Sequence, residues 1–189
     1  VTASDGVFST FVDKTLTLYN KDFLFFSVSG TGEGLSPNDP MSGDINIAIN
    51  KALANGLHTV AFSEGTYEVN YANSTHVLIQ NSIILLGGYD ASDWLRDIGN
   101  NETIIKNISH NAQAGETSRT IHFAGLTGNA TVDGFTLIAG TDDESTNRSS
   151  VVYCSESSGK VTLTNNYFTS QDNNHYRLYA VYSANSNTI

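Results

Sequence analysis

The chain has 189 residues, of which 9 are Lys or Arg and 19 are Asp or Glu, so its formal net charge is −10. This charge repels nucleic-acid phosphates and anionic lipid headgroups, which argues against a nucleic-acid-binding role. Charged residues make up only 15% of the chain, so neutral Asn, Ser, Thr and Gly supply most of the polar surface, as in secreted β-rich proteins. No apolar run is long enough to span a membrane, and the start lacks the pattern of a signal peptide. We expect a mature or excised piece of an exported protein, extracellular or on the cell surface.

The amino-terminal segment divides into three parts. Residues 1–22 alternate irregularly and are predicted to form a leading strand or a tail. Residues 23–29 are apolar and aromatic, which indicates a strand. Residues 30–40 are too rich in Gly and Pro for regular structure and are predicted to form a loop.

One amphipathic helix is predicted at about 42–54. Ser42 offers a hydroxyl as the N-cap, and Asp44 places a negative charge in the first turn, where it suits the helix dipole. Apolar residues recur with helical spacing from Ile45 onward, and Gly56 ends the pattern. No further helix is predicted.

After the helix, from about residue 58, the pattern changes to short strands. They are predicted at 58–63, 77–80, 83–86 and 103–105, followed by the repeats described below. An insertion at 87–97 interrupts this series. Its Tyr89 and Trp94 are predicted to pin a long loop to the body of the protein rather than to bind a ligand.

The carboxy-terminal half contains an internal repeat. Residues 150–157 return 29 residues later as 179–186 and have a weaker forerunner at 119–124. A second segment, 130–137, falls on 161–168 with nearly the same step. A fixed period of this size is typical of a solenoid, whose neighbouring repeats must stack to make a core. Because the strands return in the same direction, the repeat favours a parallel β-helix over an antiparallel sandwich.

The repeat also predicts register. Ile121, Val152 and Val181 should stack as inward residues, with Val132 over Leu163 on a second sheet. Cys154, the only cysteine, should also point inward, which makes it a buried, inert thiol rather than a nucleophile.

Strand alternation then turns His122, Tyr153 and Tyr182 outward in one column. Stacked rings of this kind either stabilise neighbouring strands or form a platform for sugar rings. They are the candidate ligand-binding residues.

Four glycine-containing or aromatic motifs resemble those of the pectate-lyase-like parallel β-helix superfamily, specifically bacterial extracellular members of little-characterised function. These motifs are residues 28–32 leading into the helix, 64–67, 85–90 followed by Trp94, and 132–137. The resemblance covers about 23–189 and implies one all-β domain, a right-handed parallel β-helix with an amino-terminal capping helix. We expect the repeat to be incomplete at the carboxy-terminal end.

For a lyase, the resemblance implies carboxylates that hold calcium beside a basic residue. Asp142, Asp143 and Glu144 form the densest acidic run and would offer hard oxygen ligands, but a solvated turn is the alternative interpretation. The other histidines lack metal-ligand spacing and are interpreted as strand or turn residues: His58, His76 and His110.

Catalytic candidates are limited to one cluster. Asp172, His175 and Arg177 bring an acid, an imidazole and a cation together, although neighbours within one loop rarely converge on one substrate atom. Hydrolases of this fold pair their aspartates, whereas the repeat places Thr164 opposite Asp133.

We therefore predict a non-catalytic exported or cell-surface module, without a cofactor unless calcium binds, whose partner is a glycan or a surface protein. The alternative is a fragment of a polysaccharide lyase or a glycoside hydrolase.

Overall fold

The computed structural model describes residues 22–71, 75–109, 117–141, 148–171 and 178–184. The predicted leading strand or tail therefore lies outside the described residues, apart from Asp22. Over the described ranges, no helix has the length and apolarity needed to cross a membrane.

The chain forms thirteen described strands and one helix. The first elements are β1 (Phe23–Phe26), α1 (Ile45–Ala54), β2 (Thr59–Ser63), β3 (Gly65–Val69), β4 (Val77–Ile79), β5 (Ile83–Tyr89) and β6 (Thr103–Asn107). The remaining strands are β7 (Thr117–Ala124), β8 (Ala130–Asp133), β9 (Thr136–Ala139), β10 (Arg148–Ser155), β11 (Val161–Thr164), β12 (Tyr167–Ser170) and β13 (Leu178–Ala184). The strands predicted after the helix are present, with small changes of boundary.

The strands form three parallel sheets. Sheet A has the order β1-β2-β5-β8-β11, sheet B has the order β12-β9-β6-β3, and sheet C has the order β13-β10-β7-β4. From β2 onward, successive strands enter sheets A, B and C in strict rotation. Strands that neighbour each other in a sheet are therefore about one repeat apart in sequence.

The predicted register is confirmed. Val152 lies opposite both Ile121 and Val181 in sheet C, and Leu163 lies opposite Val132 in sheet A. Ile121 and Val152 are fully buried, while Val181 is half-buried against the same core. The alternation that places branched aliphatic residues inward thus builds one continuous apolar core.

The turn from β8 in sheet A to β9 in sheet B lies close to the backbone of Gly87 in β5. A Cβ on Gly87 would lie 2.4 Å from the carbonyl oxygen of Gly134, and Gly134 itself has φ +83°. Only glycine meets both conditions without strain. Beneath this turn, the Phe135 ring packs edge-on against Phe62 with centroids 5.3 Å apart.

The helix is confirmed, but its N-cap is Asp44 rather than Ser42. The Asp44 carboxylate accepts a hydrogen bond from the backbone N–H of Asn46 at 2.7 Å. Ser42 instead donates its hydroxyl proton to the carbonyl of Gly30 at 2.6 Å. The glycine-rich loop folds back toward the helix. Its Gly30 carbonyl therefore binds the Ser42 hydroxyl, which the sequence pattern had assigned to the N-cap.

Helix α1 packs against β1, β2 and β4. The amide of Asn46 donates to the carbonyl of His76 at 2.9 Å, and the amide oxygen of Asn46 accepts from the N–H of Leu78 at 2.8 Å. One helix side chain thus satisfies backbone groups on the outer edge of sheet C.

The long insertion is pinned as predicted. Trp94 is buried, and its indole N–H donates to the carbonyl of Pro37 at 2.9 Å. Its ring lies edge-on to Phe25 with centroids 4.9 Å apart, and Tyr89 belongs to the same buried cluster. The insertion is held by a small apolar cluster outside sheet A.

Candidate functional site

The candidate site is a column of rings on the outer side of sheet C. Tyr153 lies opposite His122 on one neighbouring strand and opposite Tyr182 on the other. The ring centroids of His122 and Tyr153 are 5.0 Å apart, and those of Tyr153 and Tyr182 are 5.5 Å apart with an interplanar angle of 18°. All three side chains are half-buried, so the ring column predicted from the repeat is present at the surface.

Two arginines join this column. The guanidinium carbon of Arg119 lies 4.6 Å from the Tyr153 ring centroid, and that of Arg148 lies 5.7 Å from the Tyr182 ring centroid. Arg148 also donates a hydrogen bond to the Tyr182 hydroxyl at 3.0 Å. We call these five residues the aromatic face.

Sequence reasoning missed Arg119 because β7 does not alternate strictly. Thr120 and Ile121 are consecutive and both fully buried, and the Thr120 hydroxyl donates to the carbonyl of Ile138 in β9 at 2.9 Å. Two inward residues in succession bring Arg119 and His122, which are three positions apart, to the same side of the strand.

Arg119 has a second aromatic neighbour, Tyr71, which follows β3. The guanidinium carbon lies 4.7 Å from the Tyr71 ring centroid, and Nη2 donates to the Tyr71 hydroxyl at 2.6 Å. The cation therefore contacts the rings of both Tyr71 and Tyr153, which holds it in place and lowers its conformational freedom. No sequence pattern connects Tyr71 with Arg119, since they are 48 positions apart.

A second histidine extends the column beyond the prediction. The rings of His76 and His122 have centroids 5.7 Å apart. Burial and then the charge of Arg119 lower the pKa of His76 to about 4. Burial, Arg119 and His76, in that order, lower the pKa of His122 to about 3. Both imidazoles are therefore neutral at physiological pH, and the positive potential at the face comes from the arginines.

Ser155 lies beside the imidazole of His122. Nε2 of His122 lies 2.8 Å from the hydroxyl oxygen of Ser155, a distance at which a nucleophile and its base would meet. However, a histidine with a pKa of about 3 is a weak base, and Arg119 disfavours the imidazolium that proton abstraction would form. The contact is therefore a hydrogen bond without the electrostatics of a catalytic pair.

The carboxylate of Asp133 makes an ion pair and a further side-chain hydrogen bond. Its carboxylate accepts from Arg96 at 2.8 Å and from the amide of Asn165 at 2.7 Å. Its neighbours across the sheet are Leu86 and Thr164, so neither flanking strand supplies a second carboxylate at this register. Burial raises the pKa of Asp133, but the hydrogen bonds from Asn165 and Arg96 outweigh it and hold the pKa below its ordinary value. It stays ionised and is a poor general acid.

The remaining predicted site residues lie outside the described residues. These are the calcium candidates Asp142, Asp143 and Glu144 and the catalytic candidates Asp172, His175 and Arg177. Their roles stay predictions. Within the described ranges, no three His, Cys, Asp or Glu side chains are grouped to hold a metal ion.

Cys154 lies on the opposite side of β10 from Tyr153. It is a free, fully buried thiol, as predicted. Burial raises its pKa to about 11, so the thiolate needed for nucleophilic chemistry does not form near neutral pH.

The aromatic face thus combines the stacked rings of Tyr153 and Tyr182 and the edge-on ring of His122 with two guanidinium groups. Rings of this kind offer flat apolar surfaces, and arginines offer directed donors for carboxylates. Comparisons of the chain with protein-family models, with curated proteins and with solved structures found no match.

Proposed function

We propose that this chain is a non-catalytic module of an exported or cell-surface protein and that its aromatic face binds glycans bearing carboxylates. The observation that carries the proposal is the ring column with Arg119 and Arg148 set against Tyr153 and Tyr182. A protein surface that presents the same chemistry is the other class of partner.

The proposal includes the finer architecture. The strict rotation of strands through sheets A, B and C supports a parallel β-helix of the pectate-lyase-like kind, and the usual hand of crossovers between parallel strands favours the right-handed sense. Helix α1, which packs on β1, β2 and β4, would then cover the amino-terminal opening of the helix. The ring column would run across successive coils, where a linear polymer can contact several of them.

Charge favours acidic over neutral sugars at this face. The whole chain carries a formal net charge of −10, yet the described part of the ring column carries two arginines beside neutral histidines. A uronate carboxylate would pair with a guanidinium group by charge-assisted hydrogen bonds, which are stronger than those between neutral partners. The pyranose ring could meanwhile lie against Tyr153 or Tyr182.

The electrostatics of this face favour binding over turnover. A lyase base must accept a proton near neutral pH, whereas the pKa of His122 is lowered to about 3 by burial and by Arg119. A fragment of a polysaccharide lyase or a glycoside hydrolase is the alternative function, and the same experiment tests it.

The experiment is isothermal titration calorimetry of the chain with hexagalacturonate, in the presence and absence of calcium. A parallel titration uses the neutral cellohexaose. Tyr153→Ala and Tyr182→Ala should each weaken hexagalacturonate binding roughly tenfold, because each removes one stacking surface. The matched control is Tyr167→Ala, which removes an exposed tyrosine from sheet B and should leave this affinity unchanged.

Two outcomes would overturn the proposal. Hexagalacturonate affinity that survives both substitutions would remove the aromatic face from the interaction. Formation of unsaturated products or new reducing ends, abolished by replacing His122, Asp142 or His175, would establish the enzyme instead.

A further inference from the structure

A second concave surface lies on the outer side of sheet B. It consists of two cavities of about 410 Å³ and 400 Å³, each within the size range of ligand sites, roughly 300–1,000 Å³. Thr136 lines the first cavity and Ile138 lines the second, and these residues are two positions apart on one face of β9. We call these two cavities together the outer trough. None of its lining residues belongs to the aromatic face.

The first cavity of the outer trough is polar with one aromatic rim. Tyr167 is 67% exposed and lies directly across from Thr136 in sheet B. The Thr136 hydroxyl donates to a carboxylate oxygen of Glu102 at 2.9 Å. A carboxylate has about four acceptor positions, so Glu102 keeps capacity for further donors such as sugar hydroxyls.

Asn165, in the turn after β11, also lines this cavity. Asn165 adopts a left-handed backbone conformation with φ +51°, and its amide N–H is taken up by Asp133. That hydrogen bond fixes the side chain that lines the cavity beside Tyr167. The side chains of Glu102 and Asn165 are therefore held in place before any ligand binds.

We propose that the outer trough binds a neutral oligosaccharide. An exposed aromatic ring beside hydroxyl, amide and carboxylate groups matches the apolar faces and hydroxyl edges of a pyranose. Glu102 makes the first cavity unfavourable for uronates, since two carboxylates would repel there. Lys106 in the second cavity is balanced by Glu68, its neighbour across the sheet. This site goes beyond the proposed function because it uses another sheet and another class of sugar.

The test is isothermal titration of the full chain with four neutral hexasaccharides: cellohexaose, mannohexaose, xylohexaose and maltohexaose. At least one should bind, and Tyr167→Ala should weaken that affinity roughly tenfold. Tyr167→Phe retains the ring and should bind within about threefold of the parent. Glu102→Gln, which removes the charge, should raise the affinity for hexagalacturonate at the outer trough relative to the parent.

The control is Tyr153→Ala, which should leave neutral-sugar affinity unchanged. The inference is overturned if none of the four hexasaccharides binds, if Tyr167→Ala binds as tightly as the parent, or if Tyr153→Ala abolishes neutral binding. Failure here is distinguishable from failure of the proposed function, which depends on hexagalacturonate and on Tyr153 and Tyr182.

Discussion

At the scale of single residues, the unusual feature is a pair of neutral histidines beside an arginine. Both ring nitrogens of His76 are buried and make no hydrogen bond with the described residues, and Arg119 lies close enough to disfavour a second positive charge. Burial and Arg119 together lower the pKa values of His76 and His122 to about 4 and about 3. Protonation of either ring therefore opposes folding.

The free energy of unfolding should decrease as the pH is lowered below about 6.5. The unfolded chain protonates these histidines near 6.5, whereas the folded chain resists protonation until about pH 4 for His76. The unfolded state then binds more protons, so the free energy of unfolding is unaffected above 6.5 and decreases below it. Urea denaturation should show a loss on the order of 1 kcal/mol between pH 7 and pH 5, after allowance for partial solvent screening.

The matched variant is His122→Gln, which cannot titrate in this range and still offers an amide to Ser155. Its stability profile between pH 7 and pH 5 should be flatter than that of the parent chain. An equally steep profile in the variant would show that the titrating group lies elsewhere.

At the scale of elements, the helix start shows how a distant contact changes a local assignment. The sequence offers two N-cap candidates two positions apart, Ser42 and Asp44, and local propensity accepts either. The loop that precedes the helix brings the carbonyl of Gly30 to the Ser42 hydroxyl. Asp44 is then the residue left to accept the first helical N–H.

Replacing Asp44 with alanine should destabilise the protein by about 1 kcal/mol, because the Asn46 N–H loses its acceptor. Asp44→Asn retains a side-chain oxygen and should cost only a few tenths of a kcal/mol. Urea denaturation gives the stability, and hydrogen exchange of the Asn46 amide reports on the cap itself. Faster exchange of that amide in Ser42→Ala than in Asp44→Ala would contradict the assignment.

At the scale of the whole molecule, burial is uneven along the stack of strands. Leu137 and Val152 are fully buried, whereas their neighbours one repeat later, Phe168 and Val181, are only half-buried. By contrast, Val60 in β2, a strand that α1 contacts, is fully buried. The described core is therefore less well shielded at β12 and β13 than at β2.

Native-state hydrogen exchange should show this asymmetry. Amides of β2, β7 and β10 should exchange slowest, and those of β12 and β13 should exchange faster by roughly tenfold or more, because local opening there exposes less apolar surface. NMR-detected exchange at neutral pH measures each amide separately. Equal protection from β2 through β13 would contradict the inference from burial.

The sequence by itself determined the repeat, and through it the parallel register and the ring column. Residues about 30 positions apart with the same alternation can bury their aliphatic side chains together only if the strands run parallel and in step. Ile121 over Val152 and His122 beside Tyr153 follow from that single constraint. Periodicity therefore suffices to predict the register and the outward side chains wherever a strand alternates strictly.

Only the tertiary structure decided what surrounds that column and where the outer trough lies. Arg119 reaches the rings because Thr120 and Ile121 are both buried in succession, which a strict two-residue period cannot predict. Glu102 meets Thr136 across 34 positions because the pairing of β6 with β9 brings the residue before β6 beside β9. Contacts of this kind depend on backbone geometry and on the packing of sheets against one another, and neither is encoded in local pattern.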